Sequence, residues 1–385
     1  MNFDLSEEQR LIQETAREFA RAELEPAAAG LDRGEDDRIF FTNLTKLAEL
    51  GFMGLNIEDS YGGSEAGAVA FSVAVTELGR ACAATAETVS VNNMVCEVIQ
   101  ALASEEQKEK YISRICSGEY PAGAFALTEP GAGSDPASMS TMAVRDGQEW
   151  VLNGSKIFIS NATFAGVFVV WAVTDPTAPK GKGISLFLIE AGTKGLIVGR
   201  KEKKMGQRAS PTNEVLFQDC RIPASALMGK ENDGFRVAVA ELAGGRIGIG
   251  SLALGIGLEA MDRATRYSLE RSQFGRKISE FQAIQWKIAD MYTELEAARL
   301  LLLNAAFKKE QKRPYAKAAS MAKLFATEAA NRACYEAMQI FGGYGYTEEF
   351  PIERLARDVR VTTIYEGTSE IQRLIIAREI LNEFA

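Results

Sequence analysis

The 385-residue sequence contains no histidine. That absence excludes histidine-based serine or cysteine triads, HExxH zinc sites and any imidazole general base. Acid–base chemistry is left to carboxylates, lysine, tyrosine, cysteine or a cofactor. Cysteine is scarce, with five scattered at 82, 96, 116, 220 and 334 and no CxxC pair. An odd, dispersed set fits a reducing compartment better than a disulfide framework. No run of about 18 uninterrupted apolar residues occurs, so no membrane span is expected. Basic residues are outnumbered: the net charge is −9, which argues against a nonspecific nucleic-acid face. The one basic run, "RKEKK" at 200–204, reads as a solvated loop rather than an anion site. A Walker A sequence is missing as well. The opening "MNFDLSEEQR" is acidic and polar, unlike a secretory signal or an Arg-rich transit peptide. A bacterial cytoplasm is expected, or a mitochondrial matrix if a processed import sequence is missing.

What is present is ordinary for a globular chain, with 46% hydrophobic and 25% charged residues over a length that suits two or three domains. Residues 1–120 read as an N-terminal α-helical domain. "SEEQ" at 6–9 and at 104–107 has the capping-box form, and Leu11, Ile12, Ala16, Phe19 and Ala20 follow the first at helical spacing. Residues 121–230 read as a middle β domain, a sandwich or barrel of short strands such as "VFVVWAV" and "GISLFLIE". Within it, "EWVLNGSKIFIS" predicts a hairpin turning at Asn-Gly. Residues 231–385 read as a C-terminal α-helical bundle domain, with capped starts expected at "SEFQ" (279–282) and at "SEIQ" (369–372). Gly248-x-Gly250-x-x-Ala253 matches a dinucleotide-binding pattern, but no strand precedes it. Its small residues predict close helix packing instead. The class is α+β, mainly α.

Two stretches carry the chemistry. "ALTEPGAGSD" at 126–135 combines hydroxyls with glycines that let backbone N–H groups approach a ligand. "IYEGTSEIQ" at 364–372 sets one carboxylate, Glu366, just before a helix. With "KIFISN" at 156–161, "MGQRASPT" at 205–212, "ERSQFGRKISEFQ" at 270–282 and "QIFGGYGY" at 339–346, they resemble the acyl-CoA dehydrogenase family. The resemblance runs from "LSEEQ" to "AREIL", essentially the whole chain, in six ordered motifs.

The resemblance implies an acyl-CoA dehydrogenase fold with a C-terminal four-helix bundle, an FAD cofactor and an acyl-CoA substrate. It makes Glu366 the base that takes the α-proton of the thioester while flavin N5 takes the β-hydride, giving a 2-enoyl thioester. Phe125, Leu127, Thr128, Gly133 and Ser134 should border the flavin and its pyrophosphate, with Ser134 also facing CoA. Phe158, Ile159 and Ser160 should back the flavin ring. The family usually has Trp-Ile-Thr there, so Phe158 and Ser160 are departures. Arg271, Ser272, Gln273, Phe274, Phe281 and Gln282 resemble a segment that reaches FAD across a subunit interface, and a guanidinium suits a pyrophosphate. Gln339, Ile340, Phe341, Gly342 and Gly343 resemble a second such segment. Thr368 and Glu370 should complete the FAD contacts at a helix N-terminus. One subset of the family carries its base at the position of Gly245, and glycine cannot take a proton. Gly244, Gly245 and Arg246 should lie beside the thioester and CoA arm, with Tyr365 and Gly367 flanking the acyl chain. For Arg246 the bland reading is a helix-packing ion pair.

The expected activity is therefore FAD-dependent α,β-dehydrogenation of a short, branched or cyclic acyl-CoA by a homotetramer. Electrons would pass to an electron-transfer flavoprotein, and no metal is implied. The acyl pocket should lie between the helix at 89–100 and Glu366. Phe158 in place of tryptophan keeps open an oxygen-reactive acyl-CoA oxidase or flavin monooxygenase on the same fold. A non-catalytic flavin- or CoA-binding assembly protein would show a lost base or degraded flavin loops, and neither occurs.

Overall fold

The structure, a computed structural model, describes residues 4–384, without the side chains of 239–241; the opening "MNF" lies outside it. The chain begins with α1 (Glu7–Phe19), continued through a wider π turn at Ala20–Leu24, then α2 (Glu25–Arg33), α3 (Asp37–Glu49), α4 (Gly67–Ala81), α5 (Ala83–Leu102) and α6 (Glu105–Cys116). Both predicted capping boxes form: Ser6 and Gln9 cap α1 reciprocally, and Ser104 and Gln107 cap α6. Of the stripe expected on α1, Ala16, Phe19 and Ala20 are buried and Leu11 is exposed.

Strands follow: β1 (Ala122–Ala126), β2 (Met142–Asp146), β3 (Glu149–Ser160), β4 (Ala165–Val173), β5 (Ile184–Glu190), β6 (Leu196–Lys201), β7 (Thr212–Pro223) and β8 (Leu227–Met228). They join in the order β6-β7-β3-β2-β4-β5-β8, with β1 parallel to β4. The hairpin expected at Asn153-Gly154 is absent. β3 is one continuous 12-residue strand, antiparallel to β2 and to β7. A bulge against β7 falls between Leu152 and Gly154, where the register shifts. Asn153 and Asp219 exchange two hydrogen bonds across it, and a Cβ on Gly154 would meet Thr141 Cα at 2.7 Å. The glycine is there for the approach of the 141 backbone, not for a turn.

The last part is helical: α7 (Gly234–Glu270), a small hairpin of β9 (Ser272–Gln273) and β10 (Arg276–Lys277), α8 (Gln282–Glu310), α9 (Ala316–Phe341), α10 (Ile352–Arg360) and α11 (Ser369–Glu383). α7 is long and apolar enough by composition to cross a bilayer, yet it is largely buried among α4, α5, α8 and α9. Its glycines explain the packing. A Cβ on Gly255 would meet Thr76 O at 2.1 Å, and one on Gly257 would meet Ala330 Cα at 3.1 Å. The small residues around Gly248 and Gly250 are thus helix-contact residues, as expected. Two capping expectations fail. α8 begins after Phe281 without a side-chain cap, because Ser279 lies in a preceding 3-10 turn. The cap of α11 is Thr368, whose hydroxyl accepts from Ile371 N–H, so Ser369 is already the first helical residue.

One apolar core joins α1–α5 to α7–α10. A second lies between α5, α6 and one face of the sheet, and a third on the sheet's other face. α5 contributes to both of the first two. It therefore ties the sheet to the bundle, and the candidate site forms along it.

Candidate active site

The turn carrying Glu366 is built from local bonds outward. Ile364 and Tyr365 N–H groups both donate to Val361 O, closing the end of α10. The chain then takes two left-handed residues in succession, Glu366 at φ +55° and Gly367 at φ +91°. Glycine accepts this freely, but a glutamate there is strained. Side chains from two helices hold the turn. Gln372 of α11 donates from Nε2 to Glu366 O at 3.2 Å and to Gly367 O at 2.9 Å. Lys323 of α9 donates from Nζ to Gly367 O at 2.8 Å. Tyr365 is anchored from a third side, its hydroxyl accepting from Gln207 Nε2 at 3.3 Å. Gln207 in turn donates from its backbone N–H to the Asp358 carboxylate and from Nε2 to the Asp358 carbonyl, which docks the "MGQRASPT" loop on α10.

The Glu366 side chain points onto α7 at its double glycine. A Cβ on Gly245 would meet Glu366 Oε2 at 2.2 Å and Met94 Sδ at 2.9 Å. The carboxylate, α5 and α7 therefore converge on one point, and only glycine leaves it room. Oε2 is buried with no hydrogen-bond partner, an arrangement that costs stability unless something else uses it. Burial pushes the Glu366 carboxyl up to about 7, against the lowering pull of Arg246 and Lys323 and with a further upward push from Glu87. Arg246 is 4% exposed; its Nη1 donates to Ser320 Oγ at 3.3 Å and its Nε has no partner. It makes no ion pair among the described residues, which sets aside the helix-packing reading. Gly244 lies beside a Glu97–Lys309 ion pair linking α5 to α8.

The loop after β1 is fastened to β3. Thr128 O accepts from Ile157 N–H at 2.9 Å, and Lys156 Nζ donates to Leu127 O at 3.1 Å and to Glu129 Oε1 at 2.8 Å. Glu129 also accepts from Ser140 N–H and Oγ and from Thr141 N–H. Burial would raise this carboxyl, but the Lys156 charge and these donors hold it down at about 2. Burial lowers the Lys156 ammonium to about 8 against the pull of Glu129, so both are charged at neutral pH. The structure thus brings the 125–134 segment and the 158–160 segment together. Phe125 stacks toward Trp171 in the core at 4.3 Å, Leu127 and Ile159 are buried, and Gly133 and Ser134 are exposed. Phe158 stands out at φ +58° and 62% exposure, a strained aromatic offered to whatever covers that strand end.

Of the remaining expected residues, Thr368, Glu370, Arg271, Gln273 and residues 340–343 line two grooves of the C-terminal helices, and Ser272, Phe274, Phe281, Gln282 and Gln339 line neither. One, of about 390 Å³, runs along the N-terminus of α11 between Arg360, Thr368, Ser369 and Glu370. Ser369 Oγ is buried there without a partner, at the positive end of the α11 dipole. The other, of about 540 Å³, is lined by Arg271, Gln273, Ile340, Phe341, Gly342 and Gly343. Phe341 stacks on Tyr267 at 4.2 Å, so Ile340 and Phe341 form its floor as core residues. Gln339 and Gln282 are exposed, and Phe274, at the tip of the β9–β10 hairpin, is 92% exposed.

Sequence reasoning missed Lys323, Gln372, Gln207 and Glu87. Lys323 had a signal: it sits on the same helical stripe as Ala319, Ala322, Ala326 and Ala330, all fully buried. Gln207 and Glu87 are held by bonds between distant segments and left no local trace, whereas Gln372 lies within the "IYEGTSEIQ" stretch, six residues after Glu366.

Comparison with known proteins agrees over the whole chain. Family models for the N-terminal, middle and C-terminal domains of acyl-CoA dehydrogenases match residues 6–119, 124–220 and 232–381. An acryloyl-CoA reductase (NADH) of Anaerotignum propionicum is 45% identical over 99% of this chain and 96% of its own. A short-chain specific acyl-CoA dehydrogenase of Clostridium acetobutylicum is 44% identical over 99% of this chain and 100% of its own. The solved butyryl-CoA dehydrogenase of Megasphaera elsdenii superposes with a TM-score of 0.95 at 39% identity, covering 99% of this chain and 100% of that one. The chain belongs to the acyl-CoA dehydrogenase family, with that family's helical, β and helical parts, and is an enzyme of it.

Proposed function

We propose that this enzyme oxidises a short, branched or cyclic acyl-CoA at its α,β-bond with FAD as cofactor, Glu366 acting as base. The observation that carries the reading is the Glu366 carboxylate itself: strained backbone, unpartnered Oε2, a carboxyl near 7 and a glycine opposite. A base is most useful with its pKa near the working pH, and burial supplies that here. The Glu366 N–H bonds no acceptor among the described residues, which leaves it to stabilise the thioester oxygen as charge develops on the enolate. Arg246 and Lys323 keep the carboxylate ionised until it takes the proton. Tyr365 and Gly367 would flank the acyl chain, and Gly244 and Gly245 admit the thioester.

The residues present fit FAD. The Ser369 hydroxyl and the α11 N-terminus suit phosphate or hydroxyl oxygens, as Arg271 suits a pyrophosphate, and the fastened loop at 127–134 with Ser160 would border the ring. The chemistry supplied by bound FAD would be that of acceptor for the hydride from the substrate Cβ. Exposed Phe274, with Trp286, Leu374, Leu381 and Phe384 on the same helical part, supports a homotetramer in which Arg271–Gln282 and Gln339–Gly343 serve a neighbour's cofactor. Electrons would then pass to an electron-transfer flavoprotein.

A short acyl group is supported by packing behind the base. A Cβ on Gly248 would meet Ser90 Oγ at 2.1 Å and Phe71 Cζ at 3.2 Å, so α4 and α5 close on α7 there. Gly248 is three residues from Gly245 on one helix face, about 4.5 Å further along the axis. Anaerobic titration with a panel of acyl-CoAs, read by flavin absorbance and kcat/KM, tests this. Short, branched or cyclic thioesters should bleach best; a preference for long straight chains would overturn the assignment.

Gly245→Ala offers a second check. Its methyl would displace the Glu366 carboxyl, and a misplacement of about 1 Å can cost about 100-fold in rate. We expect a yellow, folded enzyme with kcat down by about that factor and KM little changed. A variant with parental kcat would show that the carboxylate need not sit on Gly245.

A further inference from the structure

Lys323 is not explained by packing. Its side chain is fully buried in α9, among alanines, and its Nζ has one hydrogen bond, to Gly367 O at 2.8 Å. No carboxylate lies within ion-pair reach of it among the described residues. A buried ammonium held by a single carbonyl is expensive, and such a group persists where its charge is used.

Its surroundings show where. Gly367 follows Glu366, so the Lys323 bond clamps the turn that aims the carboxylate. The charged groups facing Glu366 come from every packed element: Arg246 on α7, Lys323 on α9 and Glu87 on α5, with the Tyr365 phenol beside it in the turn. Lys323 itself faces Glu366, Arg246, Glu370 and Glu328. Glu87 opposes ionisation of the base, and the two cations favour it. Arg246 is fixed to Ser320, whereas Lys323 is bonded to the turn itself.

We propose that Lys323 is a positioning residue for the proton-transfer step, clamping the Gly367 carbonyl while its ammonium keeps the Glu366 carboxylate ionised in a dry site. This rests on Glu366 being the base. The sign follows from geometry: removing a nearby positive charge raises the pKa of a carboxyl. Burial already depresses the Lys323 ammonium to about 8, yet it stays protonated at pH 7, where the base must be charged.

The test is anaerobic single-turnover flavin bleaching by a short acyl-CoA as a function of pH, with the holoenzyme. The parental rate should climb with pH as Glu366 ionises. In Lys323→Met that limb should move to higher pH by about one unit. Lys323→Arg keeps the charge and should keep the limb where the parent has it. The same displacement should appear in thermal unfolding, in the pH at which the stability advantage of Glu366→Gln over its Glu366 counterpart stops growing in each background. A Met variant that is slower at every pH with an unmoved limb would reduce Lys323 to a structural role and overturn the proposal. Should the Met variant not fold, the Arg variant decides: a folded yellow enzyme with its limb shifted up by a unit would also overturn it. Neither result touches the base assignment, which fails only if Glu366→Gln bleaches normally.

Discussion

Lys156→Met should destabilise the folded protein by about 3–5 kcal/mol, the usual cost of removing one partner from a buried ion pair. Lys156 and Glu129 are 0% and 3% exposed, and their contact is 2.8 Å. Without the ammonium, Glu129 is a buried anion satisfied only by Ser140 and Thr141, and Leu127 O loses its donor. The loop at 127–134 would then keep a single backbone bond to β3, from Ile157, so flavin retention should fall with stability. The sign with pH is fixed. The depressed Glu129 carboxyl contributes stability that is present above its ordinary value of 4.5 and lost as pH falls toward 2. In the variant that carboxyl rises, so the deficit should be largest at neutral pH and shrink in acid. Glu129→Gln with Lys156→Met should recover much of the loss, because a neutral pair strands no charge. Urea unfolding of the holoprotein measures this, and a deficit below about 1 kcal/mol would contradict the clamp.

Glu366→Gln should remove substrate-driven flavin bleaching while leaving the protein yellow and able to bind acyl-CoA. The amide has the shape of the carboxyl but cannot take a proton, and a general base is worth about 100- to 10,000-fold. The chain has no histidine to substitute, and Gly245, which faces the carboxylate, has no side chain to take a proton. Stability should move the other way. A carboxyl raised from 4.5 to about 7 contributes stability that is full below 4.5 and is lost as pH rises through about 7. The glutamine variant escapes that loss and should be the more stable of the two in alkali. A site that costs its own fold stability is what a functional strain predicts.

Much of this was legible from sequence because it was local or periodic. The helix–strand–helix order followed from apolar spacing, and two capping boxes from four-residue patterns. Asn153-Gly154 misled because the same dipeptide serves a turn or a bulge, and the choice lay with Thr141 and Asp219 on other strands. The α11 cap slipped by one residue since Thr368 and Ser369 both offer a hydroxyl, and only the backbone of the preceding turn picks between them. Glu366 could be singled out through the family resemblance, but not its environment. Lys323 on α9, Gln372 on α11 and Gln207 on the loop before β7 reach it through folding alone. For Lys323 and Gln207, 43 and 159 residues away in the chain, position in the sequence carries no hint of that contact; Gln372 is only six residues away, but its side-chain direction is set by the fold.

The most direct measurement is anaerobic titration of purified Glu366→Gln with a short acyl-CoA that bleaches the parent enzyme, followed at the flavin absorbance. The variant's spectrum should be perturbed by binding but not bleached, beside a parent that is reduced. Bleaching of the variant at the parental rate would place the base on another residue.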